Sequence, residues 1–347
     1  MISFLQKNNM QALICNKPGE LEYADIPEPE RKPGYAIVQI LNIGVCGTDL
    51  HAFEGTQPYF QYPRILGHEL SGVLVDFDEA PGFQKGDAVT FLPYLNCGNC
   101  VACRAGKTNC CTSLQVCGVH IDGGMSDFYA VPSRLLVHAQ GLGFTELALV
   151  EPFAIGAHGI RRAAVQQGEF VLIAGAGPIG LGTMEFARLR GAEVIALDNN
   201  SRRLDFCRTE LGVKHILHAG DNDVMEQLLD MTSGDLPTVV IDASGNRKAI
   251  NQGLHYLAHG GRYILIGLQK DDLVFSHPEF HKREATLMSS RNATHEDFNY
   301  VMDCMKKDLI HPLSFITNRV KFKDAAAGFP QWLNPASGVI KVVLEKD

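Results

Sequence analysis

A glycine-rich turn between an apolar strand and a helix constrains the fold of this chain most strongly. Phe170–Ala174 is a short apolar run that predicts a strand, and Pro178–Arg190 has the character of a helix. Residues 175–180, GAGPIG, join the strand to the helix and include its first turn. They follow the pattern G-x-G-x-x-G. In such a unit the first glycine permits the tight turn, the second lets a pyrophosphate approach the backbone, and the third lets helix and strand pack closely.

Strands and helices continue to alternate after this turn. Short apolar runs predict further strands at Glu193–Leu197, His215–Leu217, Thr238–Ala243 and Arg262–Ile266. Helical segments separate them, so the pattern predicts βαβ units and a doubly wound parallel sheet. The alternative is a glycine-rich turn in an α/β domain that binds no nucleotide.

The residue that ends the second strand favours one dinucleotide. Asp198 stands where a carboxylate binds the ribose 2′-hydroxyl of NAD and repels the 2′-phosphate of NADP. Arg202 and Arg203 follow closely, and either could hold a phosphate or flank the adenine instead. The predicted cofactor-binding residues are Gly175, Gly177, Pro178, Ile179, Gly180, Asp198 and Arg203.

Five closely spaced cysteines, four of which would serve as ligands, predict a second feature, a metal-binding loop. Cys97, Cys100 and Cys103 form C-x2-C-x2-C, and Cys110 and Cys111 follow. Four thiolates complete a tetrahedral zinc site with no open position, which is typical of structural zinc. The spacing leaves Cys110 and Cys111 as competing fourth ligands, and an iron–sulfur cluster or free thiols are alternatives.

Residues before about 148 have a different pattern, with short strands broken by proline and glycine, which predicts a barrel-like β domain. The net charge of −8 argues against nucleic acid as a partner. We find neither a signal peptide nor an apolar stretch of the roughly 18 residues that a membrane span needs. These features predict a cytoplasmic protein without a membrane partner.

Four further residues carry metal-binding groups near predicted turns and the domain junction: Cys46, His68, Glu69 and Glu151. Taken singly, each has an ordinary explanation, because a lone cysteine is usually a buried apolar residue and a His–Glu pair is usually exposed. Together they offer one sulfur, one nitrogen and one or two oxygens, which suits a catalytic zinc with an open position.

The order of these motifs resembles that of the zinc-dependent medium-chain dehydrogenases. The matching segments are CGTDLH at 46–51, GHE at 67–69, the cysteines of 97–111, Glu151-Pro152 and the glycine turn at 175–180. The resemblance covers nearly the whole chain. It is greatest to the polyol and sugar-acid branch, which includes sorbitol, threonine and L-idonate or L-galactonate 5-dehydrogenases.

This resemblance implies roles for individual residues. Cys46 and His68 would bind the catalytic zinc, and Glu151 stands where alcohol dehydrogenases of this family have a cysteine. Glu69 would be a swinging or indirect ligand. Asp49 would hold the His68 ring by its other nitrogen.

The family pattern also selects Cys111 over Cys110, so the implied structural ligands are Cys97, Cys100, Cys103 and Cys111. Thr48 would contact the substrate oxygen, and His51 would pass the proton to solvent. Arg64 or Arg291 could bind a substrate carboxylate.

The implied architecture is α/β in two domains. A GroES-like β-barrel catalytic domain would take residues 1–155 and 292–347, and a Rossmann domain would take 156–291. The chain would hold two zinc ions and use NAD in preference to NADP. It would act on a polyol or sugar acid, such as L-galactonate or L-idonate at C5, as a homodimer or homotetramer. The alternatives are a threonine, sorbitol or simple alcohol dehydrogenase, or a structural protein that binds zinc and nucleotide.

Overall fold

The computed structural model describes residues 9–58 and 60–346. It divides into two compact units, one of Met1–Glu151 with Thr294–Asp347 and one of Pro152–Ala293. The domain division predicted from the sequence, at 155/156 and 291/292, lies within a few residues of these boundaries. As an assignment of a catalytic and a coenzyme domain, it stays a prediction.

The first stretch of the chain is built mainly of short strands. Its elements are β1 Asn9–Lys17, β2 Glu20–Pro27, β3 Tyr35–Val45, α1 Gly47–Glu54, β4 Arg64–Ile65, β5 Glu69–Phe77, β6 Ala88–Phe91, β7 Tyr94–Leu95, α2 Val101–Arg104, β8 Gln115–Val116, β9 Phe128–Pro132, β10 Leu136–His138 and α3 Phe144–Ala148. Burial alternates along β3 because successive side chains point to opposite faces. The strands form a sheet β2-β1-β4, a larger sheet around β3, and the two-stranded ladder β7-β8.

The second unit is a parallel sheet with intervening helices. Its elements are α4 Val150–Ala163, which begins in the first unit, β11 Phe170–Ala174, α5 Pro178–Leu189, β12 Glu193–Asp198, α6 Ser201–Thr209, β13 His215–His218, α7 Val224–Met231, β14 Val239–Asp242, α8 Arg247–Gly253, β15 Arg262–Leu265, α9 His277–Lys282 and β16 Thr286–Ser289.

The strand order of this sheet is β13-β12-β11-β14-β15-β16, and every adjacent pair is parallel. Counted from β11, this is the order 3-2-1-4-5-6 of dinucleotide-binding sheets, whose strand order reverses between β11 and β14. The core is aliphatic and includes the buried side chains of Leu172, Ile195, Leu217, Leu228 and Val240.

The last part of the chain returns to the first unit. It comprises α10 His295–Lys306, β17 Ile316–Lys321, α11 Ala325–Leu333 and β18 Lys341–Glu345. Strand β18 pairs with β17 in parallel and with β3 in antiparallel fashion, and Val343 lies opposite Gly44. The prediction that the final strand returns to the first domain is confirmed by this pairing.

The described helices include none with the length and apolar character that a membrane span needs.

Candidate metal centre and nucleotide-binding turn

Two turns of the first unit bring together three of the four predicted catalytic ligands. Cys46 lies between β3 and α1, and His68 directly precedes β5. Ligand atoms of Cys46, His68 and Glu69 all lie within 4.8 Å of one another. Since His68 and Glu69 are buried, the three residues form an enclosed cluster of sulfur, nitrogen and oxygen donors.

Asp49 joins the two turns through their backbones. Its Oδ2 accepts a hydrogen bond from the Cys46 amide at 2.9 Å, and its Oδ1 accepts one from the Gly67 amide at 3.0 Å. The His68 Nδ1 lies 3.8 Å from Asp49 Oδ1, which is too long for a hydrogen bond. Asp49 therefore fixes the spacing of the two ligand turns, and the bond to the His68 ring stays a prediction.

A buried ion pair occupies Glu69. The Lys341 Nζ donates to both carboxylate oxygens of Glu69, at 2.8 and 2.7 Å, and to the Val45 carbonyl oxygen at 3.2 Å. Gly44 makes room for the Glu69 carboxylate, because a Cβ at Gly44 would lie 1.9 Å from Glu69 Oε2. Burial opposes the charge on Lys341, but the attraction of Glu69 raises its pKa overall. No motif of the sequence pointed to Lys341.

Glu151 has a different partner. The buried Tyr94 hydroxyl donates a hydrogen bond to Glu151 Oε1. Burial raises the pKa of the Glu151 carboxyl to about 7, against the attraction of His68. Burial and the charge of Glu151 raise the pKa of Tyr94 well above its usual range. Glu151 is thus aligned by a neutral donor, whereas Glu69 is bound by a cation.

The predicted proton-relay residues lie on α1. Thr48 is half-buried, two residues after Cys46, and His51 is exposed. The His51 Nδ1 lies 3.1 Å from Thr56 Oγ1 and 3.5 Å from Glu54 Oε2. The structure therefore places His51 on the exposed side of the helix that begins beside the ligand cluster.

The electrostatics of the cluster fit a bound cation. His68 Nδ1 is buried and has no hydrogen-bond partner. Burial lowers the pKa of His68, but the charges of Cys46 and Asp49 outweigh this and raise it well above its usual range. The surroundings thus favour a positive charge at this point, which a zinc ion bound by thiolate, imidazole and carboxylate would supply.

The second predicted cluster is also assembled. The sulfurs of Cys97, Cys100, Cys103 and Cys111 lie within 4.8 Å of one another, and Cys110 is not among them. The Sγ of Cys103 lies 3.5 Å from that of Cys100 and 4.0 Å from that of Cys97. Zn–S bonds of about 2.3 Å place tetrahedral sulfurs roughly 3.8 Å apart, so the lobe fits zinc without rearrangement.

Hydrogen bonds within this lobe favour the thiolate form of Cys100. Backbone amides of Cys103 and Thr112 lower the pKa of Cys100 to about 5. The Asn96 amide donates to Cys103 Sγ at 3.6 Å. Arg134 holds Asn96 in turn, with Nη1 to Oδ1 at 2.6 Å and Nη2 to the backbone oxygen at 2.8 Å. Asn96 is therefore an outer partner of the metal ligands, which the cysteine spacing does not reveal.

Replacing Asn96 by alanine should weaken zinc binding in the lobe. The change removes the donor to Cys103 and the side-chain acceptor of Arg134, and loss of such outer partners costs about 10- to 100-fold in metal affinity. We expect zinc release to a colorimetric chelator to become at least about tenfold faster. Asn99→Ala, an exposed side chain of the same loop, is the matched control. Equal release rates in both variants would contradict the role of Asn96.

The glycine turn has the geometry that its sequence predicts. Gly175 has φ +103°, and a Cβ on Gly180 would lie 1.8 Å from the Gly175 carbonyl oxygen. A Cβ on Gly177 would find no atom closer than Arg203 Nη1 at 3.9 Å, so the turn is open there. Helix α5 begins at Pro178. Its first amides and helix dipole can therefore bind a phosphate.

Asp198 lies beside this turn at the end of β12. Its Oδ2 accepts from the Ala176 amide at 2.6 Å, and its Oδ1 accepts from the Asn200 amide at 2.8 Å. These bonds fix the carboxylate next to the turn while each oxygen keeps a further lone pair for a ligand.

Of the two arginines considered for substrate binding, Arg64 has a partner within the first unit. Its Nη1 lies 3.3 Å from Asp122 Oδ1, and the Ile65 amide donates to the same oxygen at 3.2 Å. Arg291 lies in the second unit and is exposed.

Comparisons with known proteins agree with this arrangement. The family described as alcohol dehydrogenase GroES-like domain matches residues 32–141. The family described as zinc-binding dehydrogenase matches residues 178–307. The first match contains the predicted ligands Cys46 and His68, and the second begins inside the glycine turn.

Relatives match over almost the full length. L-galactonate-5-dehydrogenase of Escherichia coli K12 is 42% identical over 92% of this chain and 94% of its own. An uncharacterized zinc-type alcohol dehydrogenase-like protein of Haemophilus influenzae is 35% identical over 92% and 93%. The crystal structure of the alcohol dehydrogenase RspB of E. coli CFT073, complexed with NADH, superposes with a TM-score of 0.90 at 28% identity, covering 97% and 99%. The chain therefore belongs to the zinc-binding dehydrogenase family and is an oxidoreductase with a GroES-like and a Rossmann domain.

Proposed function

We propose that this enzyme oxidises a secondary alcohol of a sugar acid, C5 of L-galactonate or L-idonate, to the ketone with NAD. The alcohol carbon gives a hydride to C4 of the nicotinamide, and the hydroxyl proton leaves to solvent. The observation that carries the proposal is the 42% identity, over 92% of the chain, to a protein named L-galactonate-5-dehydrogenase. The Cys46–His68–Glu69 cluster supports it, because such a site suits alcohol oxidation.

Cys46, His68 and Glu151 are the residues we propose to hold the catalytic zinc. Glu69 lies in the same cluster, but both of its oxygens already accept from Lys341. When bound, zinc supplies a Lewis acid that acidifies the substrate hydroxyl. Three protein ligands leave an open position, as catalytic zinc sites do. The four-cysteine lobe would hold a second, structural zinc.

The proton is proposed to leave along α1. Thr48 begins the route because it lies two residues from Cys46, and its hydroxyl both accepts and donates. His51 would complete it, since an imidazole exchanges protons near neutral pH. Its exposure and its contact with Thr56 Oγ1 at 3.1 Å support transfer to water.

NAD is the proposed coenzyme. The open turn at Gly177 would admit the pyrophosphate, and Asp198 would accept a hydrogen bond from the ribose 2′-hydroxyl. The negative charge of Asp198 disfavours the extra phosphate of NADP. Arg203 lies next to the turn, where its guanidinium would contact the bound dinucleotide.

Asp198→Asn should reduce the preference for NAD. The amide retains an oxygen for the Ala176 amide but removes the charge that repels a 2′-phosphate. Hydrogen bonds to charged groups contribute about 1.5–3 kcal/mol, so we expect the ratio of kcat/KM for NAD over NADP to fall roughly 10- to 100-fold. Asp205→Asn, on the exposed side of α6, is the control. An unchanged ratio in Asp198→Asn would contradict the assignment.

A substrate panel tests the reaction. L-galactonate, L-idonate, sorbitol, L-threonine and ethanol are each assayed with NAD and NADP. We expect kcat/KM to be highest for the two sugar acids. Strong turnover of L-threonine or sorbitol without turnover of the sugar acids would contradict the proposed substrate and leave the dehydrogenase family unaffected.

We further propose residues 1–155 and 292–347 as the catalytic domain, residues 156–291 as the coenzyme domain, and a cytoplasmic homodimer or homotetramer as the working form. The resemblance to medium-chain dehydrogenases supports these assignments. Light scattering during size-exclusion chromatography measures the mass, and a monomer would contradict the last of them.

A further inference from the structure

We propose that Tyr94 is a positioning residue that aims the Glu151 carboxylate at the metal held by Cys46 and His68. The proposal rests on the catalytic metal site assigned under the proposed function. Nothing in the motifs at 46–51, 67–69 or 175–180 points to Tyr94. Its place in the fold and its hydrogen bond to Glu151 do so.

The contact itself is of the kind that orients a ligand. Tyr94 and Glu151 are both buried, at 4% and 6% exposure, and the phenol hydroxyl donates to Glu151 Oε1. A phenol has one proton to donate, so it fixes one carboxylate oxygen and leaves the other with its lone pairs. A carboxylate held in this way presents its second oxygen in a defined direction. Outer partners of metal ligands orient the ligands in the same manner.

The two glutamates of the site differ in what holds them. Lys341 donates to both oxygens of Glu69, which compensates its charge. Glu151 receives a neutral donor on one oxygen, which leaves its other oxygen with lone pairs for a cation. The donor atoms that lie within 4.8 Å of one another belong to Cys46, His68 and Glu69, and Glu151 is not among them. The Glu151 carboxylate must therefore be directed towards a metal held there, and the hydrogen bond from the Tyr94 hydroxyl directs it.

Tyr94 lies on a short two-stranded antiparallel sheet. It lies on β7, opposite Val116 of β8. The cysteine lobe of residues 97–111 connects these two strands, and Asn96 and Arg134 fasten its start. The ladder that carries the phenol would be stiffened by a metal bound in the lobe, which would give Tyr94 a fixed direction.

Tyr94→Phe tests the proposal in enzyme with zinc in the lobe and Co²⁺ in the catalytic site. The ring and its packing remain, and only the hydroxyl is lost. We expect Co²⁺ affinity, measured by competition with a chelator, to fall about 10- to 100-fold. The cobalt d–d bands should shift because the carboxylate geometry changes. Tyr129→Phe, which removes a buried phenol bonded to Cys117 Sγ at 2.7 Å, is the matched control and should leave the bands unchanged.

A double-mutant cycle with Glu151→Ala separates positioning from packing. If Tyr94 acts through Glu151, Tyr94→Phe has no further effect on Co²⁺ affinity once the carboxylate is gone. Additive losses, or unshifted cobalt bands in Tyr94→Phe, would overturn the proposal. If wild-type enzyme shows no thiolate-to-cobalt charge-transfer band at all, the metal site fails first, so the two failures are distinguishable.

Discussion

Cys46→Ser lowers kcat by about three orders of magnitude or more, while NAD binding stays unchanged. A serine hydroxyl is not deprotonated near neutral pH and binds zinc poorly compared with a thiolate. The Lewis acid contributes several kcal/mol to the transition state, and each 1.36 kcal/mol corresponds to about a tenfold change in rate. Steady-state kinetics and NAD titration by fluorescence, with zinc counted per chain, measure the two effects.

Cys110→Ser is the control for this variant. Cys110 is exposed and lies outside both clusters, so its loss should change neither zinc content nor rate. The catalytic assignment of Cys46 is refuted if Cys46→Ser retains wild-type turnover with its zinc count unchanged.

Lys341→Met lowers the free energy of unfolding of the first unit by about 3–5 kcal/mol. Lys341 is 3% exposed and donates to Glu69, which is fully buried. Removing the cation leaves a buried carboxylate without its counter-charge, and a buried pair broken on one side costs about this much. The fluorescence of Trp332, the one tryptophan of the sequence, reports unfolding of this unit at fixed zinc concentration.

Two further variants define the cause of that loss. Lys323→Met removes an exposed lysine and should change stability little. The double variant of Glu69→Gln and Lys341→Met removes the uncompensated charge, so it should regain part of the lost stability. A wild-type unfolding midpoint in Lys341→Met would contradict the importance of the ion pair.

The parallel sheet was predictable because its signals are local. The apolar run at Phe170–Ala174 and the glycine turn determine a strand, a turn and a helix within twenty residues, and the predicted strand has the bounds of β11. Helix α1 was missed because its sequence, GTDLHAFE, lacks a clear apolar period. The start of strand β5 at Glu69 carried no periodic signal, because its first four residues are all buried and do not alternate.

The site was predictable only in part. The cysteine lobe follows from spacing, and Cys46 and His68 entered through family resemblance. Lys341 was missed because a lysine is ordinarily an exposed residue and its partner is distant in sequence. The run GVIKVVLE held a signal, since a lysine that is fully buried in an apolar strand is almost always paired with an acid. Tyr94 carried no comparable signal, because a tyrosine in a short strand is usually a packing residue.

Anomalous diffraction from metal-replete crystals, recorded above and below the zinc absorption edge, tests the central claim most directly. We expect two peaks per chain, one among the sulfurs of Cys97, Cys100, Cys103 and Cys111 and one bonded to Cys46 Sγ and the His68 ring. A map with the first peak alone, and with the Cys46 and His68 side chains turned apart, would contradict the assignment of a catalytic zinc to this site.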